Sequence, residues 1–563
     1  MNILGIGGYS HDSAACLVID GKLVAAAMEE RFTRRKHEGG IPIKAIQYCL
    51  KEGGIRLEDL DYIGTYMNPW LRLRKRVPYR IKKFFRSPLY SASYLLYEIY
   101  HNATFIFETR SLKKSPKTKV LFLPHHPMHA ASAFFVSPFE KAALFSIDYI
   151  GEMCTTFLGI GEGKTIRKIK EIEYPHSLGV VYSALTDYLG FQRANDEYKV
   201  MGLAAYGEPT YYEEFSKIVK VTDEGDYKID LSYFIYHYKP GSRLGYVSDK
   251  FIKIFGPPRR KGEEIQKRHM DIASSLQKVL EDSVLKLLEY LYKKTKCKNL
   301  CIAGGVGLNS VMNGRIERES PFQNLYIQPA ASDDGISIGA AFYIYHSILG
   351  KERSFVMEHA FWGPSYSNRE IEEELKLCKL PYRKMKNVER ETAQLLREGK
   401  IVGWFQGRME FGPRALGARS ILADPTRKDM KDIINKFVKH REEFRPFAPT
   451  VLEEEAPKYF EGCKKSPFML LVYPVVKEKQ EIIPAVTHVD GSARVQTIDS
   501  KTAPRYYRMI KEFEKLKGVP VVLNTSFNVK GEPIVCSPQD ALRCFYSTGM
   551  DALVIGDFLV EKR

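Results

Sequence analysis

Residues 2–27, NILGIGGYSHDSAACLVIDGKLVAAA, decide the fold. The apolar run Asn2–Gly7 predicts a first β-strand, and Ala14–Ile19 predicts a second after a short polar turn. Asp20 and Gly21 form a two-residue hairpin turn, and residues 22–27 return alongside. The same pattern recurs at 142–148 (AALFSID) and 155–160 (TTFLGI), with a turn at 161–163. A further strand, Asn299–Ala303 (NLCIA), runs into Gly304, Gly305 and Gly307 and then a helical stretch from Asn309. Residues 272–292 carry apolar side chains at three- and four-residue spacing, the signature of an amphipathic helix. Two hairpin-bearing sheets and a glycine turn entering a helix predict a duplicated α/β domain around a nucleotide cleft.

The 563 residues hold enough chain for two to four domains. Turn formers crowd residues 361–368 (FWGPSYSN), so the expected division is 1–355 and 356–563. The second part carries strands at 400–405 and 519–524 and reads as another α/β domain. No run of about 18 uncharged apolar residues exists, which excludes a membrane-spanning helix. The start lacks a basic segment ahead of its apolar residues and reads as a strand, not a signal peptide. Nine cysteines without CxxC pairs argue for reduced thiols and a cytoplasmic setting. The net charge of +17 favours anionic partners, although much of it is Lys alternating with Glu on helix faces. Residues 71–86, LRLRKRVPYRIKKFFR, are the densest basic cluster and read either as a helical insertion with a basic outer face or as a surface for nucleic acid or lipid.

Two groups of residues point to chemistry. Residues 403–452 set Arg408, Arg414, Arg419, Lys439, Arg441 and Arg445 among glycines, prolines and a short apolar strand. Guanidinium forks grip phosphate or carboxylate bidentately, and Gly407, Gly412 and Gly417 let the backbone approach an anion closely. The second group is His125-His126-Pro127-Met128-His129, at the end of a strand and the start of a small-residue helix. Histidines at i and i+4 share one side of a helix. Asp148, at the end of the next strand, and Asp333 supply carboxylates. Two imidazoles and two carboxylates suit Fe(II), Mn(II) or Zn(II). The glycine turn at 303–310 would aim backbone N–H groups at a phosphate or adenosine. His11 stands in the turn between two strands, either as a general base or as a polar turn residue bonded to backbone. His37, beside Gly39 and Gly40, belongs to a surface helix or reaches into a cleft.

These motifs assemble into a family resemblance covering essentially the whole chain. Its carriers are HDSAA (11–15), EERFTRRKH (29–37), HHPMHAASAF (125–134), NDEYKVMGLAAYGEP (195–209), AGGVGLNS (303–310) and SDDGISIGAA (332–341). The arginine block through residue 449 and LNTSFNVKGEPIVCSPQDAL (523–542) complete the set. The chain resembles the NodU/CmcH family of O-carbamoyltransferases. The resemblance implies a duplicated actin-like (RNase H-like) N-terminal domain and a C-terminal YrdC-like α/β domain. It implies that the YrdC-like domain forms carbamoyl-adenylate from carbamoyl phosphate and ATP, and that the other domain transfers the carbamoyl group to a hydroxyl of a small-molecule acceptor. By motif position, Arg414, Arg419, Lys439 and Arg445 would bind the anions, with Asn524 and Ser526 contacting nucleotide. Gly304, Gly305, Gly307 and Asn309 would line the other nucleotide site. His125, His129, Asp148 and Asp333 would hold the metal, with iron the expectation, and Mg(II) would accompany ATP. His11 would be the transfer-site base, with His37 a second catalytic histidine. Tyr149 stands where relatives carry glycine, and residues 71–100 fall outside the shared motifs, as a place for acceptor specificity. A homodimer is a further expectation. The competing readings are a carbamoyl or threonylcarbamoyl transferase acting on RNA, and a non-enzymatic nucleotide-binding regulatory protein.

Overall fold

The computed structural model describes residues 1–68, 71, 79, 87–239 and 245–562. The basic run at 71–86 therefore lies outside the described residues except for Leu71 and Tyr79. The chain divides into two compact units, the first Met1–Val24 with Gly39–Val356, the second Ala25–Glu38 with Met357–Arg563.

The first unit is built on two five-stranded sheets of the same order, although residues 25–28 of one edge strand group with the second unit. One runs Lys22–Met28, Ala14–Ile19, Asn2–Gly7, Tyr62–Thr65, Lys119–Phe122. The other runs Thr165–Glu173, Cys154–Glu162, Lys141–Gly151, Asn299–Ala303, Asn324–Ile327. In each, a hairpin pairs antiparallel with the central strand, and two later strands join parallel on its other side. This is the duplication that an actin-like reading requires. The parallel strands arrive through crossovers, and the helix that follows the last strand of each sheet packs on the other sheet. His125–Phe134 follows the last strand of the first sheet and packs on the second, while Ile336–Tyr343 follows the second sheet and packs on the first.

These two helices meet face to face, because their sequences, HHPMHAASAF and ISIGAAFY, are rich in small residues. Gly339 marks the crossing: a Cβ there would lie 1.9 Å from the Met128 carbonyl oxygen. Gly5 allows the same close approach to the Ser337 carbonyl, at 2.0 Å. Backbones this close leave no room for larger side chains, so the helix starts are held rigidly at the ends of the strands.

The second unit is a nine-stranded mixed sheet. Its order is Arg383–Lys384, Phe558–Glu561, Ala552–Ile555, Val402–Phe405, Arg419–Ala423, Val521–Ser526, Ala448–Leu452, Ser492–Ile498, Leu471–Pro474. Helices Val388–Arg397 and Pro504–Lys517 pack together over Trp404, Val402, Val522 and Ile498. The segment Ala25–Glu38, expected within the first domain, groups with this unit. Its arginines explain why: Arg31 donates to the Gly412 carbonyl at 2.9 Å, and Arg34 donates to the carbonyls of Pro533 and Ile534 at 2.8 and 2.7 Å. Arg34 also pairs with Asp540 at 3.2 Å.

Candidate functional site

In the first unit, four buried side chains converge. His125 is the first residue of its helix, with Pro124 at the N-cap and Pro127 in the first turn, where a missing N–H costs nothing. One helical turn separates His125 from His129, so both Nε2 atoms point the same way and lie 3.1 Å apart. Each reaches Asp148 Oδ2, at 3.1 and 3.2 Å. Each also lies 3.5 Å from Asp333 Oδ1. One ligand atom from each of the four residues falls within 4.8 Å of every other. Gly151 backs this cluster, since a Cβ there would lie 2.3 Å from the His125 ring.

Asp148 is aimed by an irregularity. Pairing between Lys141–Gly151 and Cys154–Glu162 shifts register between Ile147 and Gly151, which frees residues 148–150 from the ladder. Its other oxygen accepts the Gly305 N–H at 3.1 Å. Burial raises the Asp148 carboxyl, but the hydrogen bonds and charges of His125 and His129 outweigh it and hold the group well below its ordinary range. Burial lowers His129, and Asp148 and Asp333 outweigh it to raise the ring to about 9. His126, between the two, has a different role. It bonds Ser146 Oγ at 2.9 Å and the Cys154 carbonyl at 3.1 Å, and burial holds it well below its ordinary value.

The site also contains residues that the sequence reading missed. Glu152 accepts the His125 N–H at 3.2 Å and also the Asn68 N–H, tying the helix start to the bulge. The Tyr66 ring meets His125 edge-on at 5.1 Å. Asp12 bonds His11 Nδ1 at 3.1 Å, while His11 Nε2 stands 4.0 Å from Asp333 Oδ2. The His11 side chain keeps 48% of its surface exposed, so carboxylates, more than enclosure, set its basicity. Burial lowers it, and Asp12, Asp333 and Asp148 raise it to about 10.

The glycine turn is employed within the fold. Gly304, at φ +92°, passes so close to Ile147 that a Cβ would lie 2.1 Å from its carbonyl oxygen. Gly305 donates to Asp148, and Gly307 donates to the Gly304 carbonyl at 2.8 Å. Asn309 caps the helix Ser310–Glu319 and exchanges hydrogen bonds with Gln277. His37 lies in the second unit, with φ +58° and its N–H donated to Glu30 Oε2 at 2.8 Å.

In the second unit the expected anion ligands separate into two kinds. Arg419 is fully buried and donates to the carbonyls of Gln406, Gly407, Ala418 and Pro364 at 3.0–3.2 Å, with its guanidinium 3.6 Å from the Phe405 ring centre. Lys439 is buried too. Its ammonium meets Ser526 O and Oγ and Asn528 O and Oδ1 at 2.7–3.2 Å. Burial holds Lys439 well below its usual value, and the charges of Arg441 and Arg445 add to that. Asn524 donates to Thr450 Oγ1 and Gln496 Oε1, both at 3.0 Å, within the sheet. These groups shape the site from behind.

Arg414, Arg441 and Arg445 are different, and they gather around Arg494, on the strand Ser492–Ile498. Burial pushes the Arg494 guanidinium well below its usual basicity, and the charges of Arg414, Arg441 and Arg445 push further. A guanidinium does not lose its proton in a protein. The four guanidiniums therefore stay charged and repel one another, a repulsion that a bound polyanion would relieve. Glu442 stands 3.7 Å from Arg445, and Arg441 is steadied by Asn435 Oδ1 at 2.7 Å and by the Phe447 ring at 4.5 Å.

Residues 2–342 match the model "Carbamoyltransferase N-terminus", and residues 393–562 match "Carbamoyltransferase C-terminus". The chain belongs to the carbamoyltransferase family. Among similar proteins, nodulation protein NolNO of Sinorhizobium fredii is 38% identical over 99% of this chain and 79% of its own length. An uncharacterized protein of Synechocystis, sll1178, is 43% identical over 100% of this chain and 97% of its own length. Nodulation protein U of Sinorhizobium fredii is 29% identical over 97% and 96%. HypF of T. kodakarensis aligns with 62% of this chain and 48% of its own at 12% identity and a TM-score of 0.35, a likeness that carries no argument. As a carbamoyltransferase the chain is an enzyme, which removes the purely regulatory reading.

Proposed function

We propose that this carbamoyltransferase forms carbamoyl-adenylate in its second, YrdC-like unit and transfers the carbamoyl group to a hydroxyl of a small-molecule acceptor in its first. Carbamoyl phosphate is hydrolysed to carbamate and phosphate. A carbamate oxygen then attacks the α-phosphorus of ATP, carried with Mg(II), and pyrophosphate leaves. The observation that carries this reading is the gathering of Arg414, Arg441, Arg445 and Arg494 against their own repulsion. Two substrates with several negative charges need such a fixed cationic surface, which also stabilises charge moving onto the leaving phosphates. Lys439 holds the carbonyls and side chains of Ser526 and Asn528 in one arrangement, so the loop after Val521–Ser526 is set before nucleotide binds.

In the first unit, His125, His129, Asp148 and Asp333 would hold a divalent metal. Four donor atoms within 4.8 Å of one another, buried and with two nitrogens facing at 3.1 Å, suit a cation better than they suit each other. The donor set fits Fe(II), Mn(II) or Zn(II), with Fe(II) the proposed ion. When bound, it would polarise the carbamoyl carbonyl as a Lewis acid. With a cation held by Asp333 and Asp148, the charges that raise the His11 ring would be offset, and the neutral ring would take the proton from the attacking hydroxyl. Asp12 holds Nδ1, which leaves Nε2 as the acceptor on the side of Asp333. The alcohol oxygen forms the new bond to the carbamoyl carbon, and AMP leaves. A positioned imidazole contributes roughly 10²–10⁴-fold to such a step. All nine cysteines are thiols and eight of them are buried, which supports a cytoplasmic setting.

Pyrophosphate release tests the division of labour. Arg414→Ala is expected to abolish release that depends on carbamoyl phosphate. His11→Asn is expected to spare it and to stop carbamoyl transfer. Release that never depends on carbamoyl phosphate overturns the adenylation half, and loss of release in His11→Asn overturns the assignment of steps to units.

A further inference from the structure

The helix Pro88–Ser111 is apolar on two sides. Its inner side carries Phe105 and Thr109, both fully buried, with Phe105 against Tyr9 at 4.5 Å between ring centres. Its outer side exposes Leu96 at 68%, Ile99 at 58%, Tyr100 at 71% and Phe107 at 75%, with Leu95 at 43% on its margin. Spaced at i, i+3, i+4 and i+11, the first four form one stripe along the helix. Ala103 lies among them and is exposed as well. Single exposed apolar residues are ordinary on any surface, but a continuous stripe marks a contact.

The charges beside the stripe are of one sign. Arg110, Lys113, Lys114 and Lys117 are all exposed where the helix ends. Glu108 is turned to the inner side, where it accepts the Tyr9 hydroxyl at 2.8 Å. A second copy of this chain, itself at +17, would bring the same basic flanks to the stripe and be repelled. No helix among the described residues is long and apolar enough to cross a membrane, and this one need only lie in its surface. An apolar face bordered by Arg110, Lys113, Lys114 and Lys117 where the helix ends matches acyl chains bordered by anionic headgroups.

We propose that the outer face of Pro88–Ser111 docks the enzyme on the surface of an anionic phospholipid bilayer. The test is flotation of the full chain with vesicles of phosphatidylcholine alone and of phosphatidylcholine with one quarter phosphatidylglycerol. Binding to the anionic vesicles is expected, at least about tenfold tighter than to the neutral ones and weakened by salt. Leu96→Ser with Phe107→Ser is expected to weaken it by about tenfold or more, since each side chain loses its burial in lipid. Lys113→Glu with Lys114→Glu is expected to act only on the anionic vesicles. Unchanged melting temperatures show that both variants are folded. Absence of flotation with anionic vesicles overturns the proposal, as does flotation that both double variants retain. A dimer split by Leu96→Ser with Phe107→Ser, without flotation, overturns it in favour of a second copy. Retention on RNA without flotation overturns it in favour of a nucleic acid.

Discussion

Arg494→Met removes one charge from the cluster of four while keeping most of the apolar stem. Two opposite effects are expected. In the free enzyme Arg494 is disfavoured by burial and by Arg414, Arg441 and Arg445, so its removal relieves repulsion. Removing a strained active-site group commonly stabilises by about 0.5–2 kcal/mol. For a unit of roughly 220 residues, each kcal/mol moves the melting temperature by about 2–4 °C, so a rise of about 1–8 °C is expected. With substrates, the variant lacks a charge-assisted contact worth about 1.5–3 kcal/mol, which lowers kcat/KM for carbamoyl-phosphate-dependent pyrophosphate release by about 10- to 150-fold. Differential scanning fluorimetry with and without pyrophosphate gives the first quantity, and a coupled pyrophosphate assay gives the second. Pyrophosphate should raise the melting temperature of the wild type more than that of the variant. A variant that is less stable yet releases pyrophosphate normally would refute the argument, because the four guanidiniums would then be a structural device.

Three further outcomes are expected. Gly339→Ala places a Cβ 1.9 Å from a backbone oxygen that cannot rotate away, so the helix crossing must open. A loss of about 3 kcal/mol is expected, the upper end for overpacking, measured by urea unfolding. His129→Gln should lower the divalent metal retained after dialysis, read by elemental analysis, while leaving pyrophosphate release intact. The third outcome concerns acid stability: burial holds His269 at about 4, helped by the charges of Arg268 and Arg259. Its neutral ring accepts the Gln266 N–H at 3.0 Å, so the folded chain refuses a proton that the unfolded chain takes up. Stability is therefore lost as pH falls from about 6.5 toward 4, and His269→Gln should flatten that part of the pH dependence of unfolding.

Much of the fold was legible in local pattern. The hairpin at Asp20 and Gly21, the repeated strand pair and the strand into Gly304 appear as short apolar runs and turn chemistry, which depend only on neighbouring residues. The grouping of His125, His129, Asp148 and Asp333 was legible for a related reason. Two share a helix face, and two follow strands whose ends the parallel topology brings to one edge.

Side-chain employment was not legible. Arg414 and Arg419 lie five residues apart in one motif, yet Arg419 turns inward to four carbonyls while Arg414 joins Arg441, Arg445 and Arg494. Arg494 itself sits in an unremarkable strand and enters the cluster only because that strand pairs with Ala448–Leu452. The arginines of Ala25–Glu38 look like a basic surface run until Arg31 and Arg34 meet the carbonyls of Gly412, Pro533 and Ile534.

By itself, the sequence determined the strand and helix periods, the family and the kinds of donor available, since each follows from residue types at short spacing. Only the tertiary structure decided which cations face an anion and which serve the backbone. That choice depends on where acceptors hundreds of residues away come to rest, and on whether a charge is enclosed with its own kind.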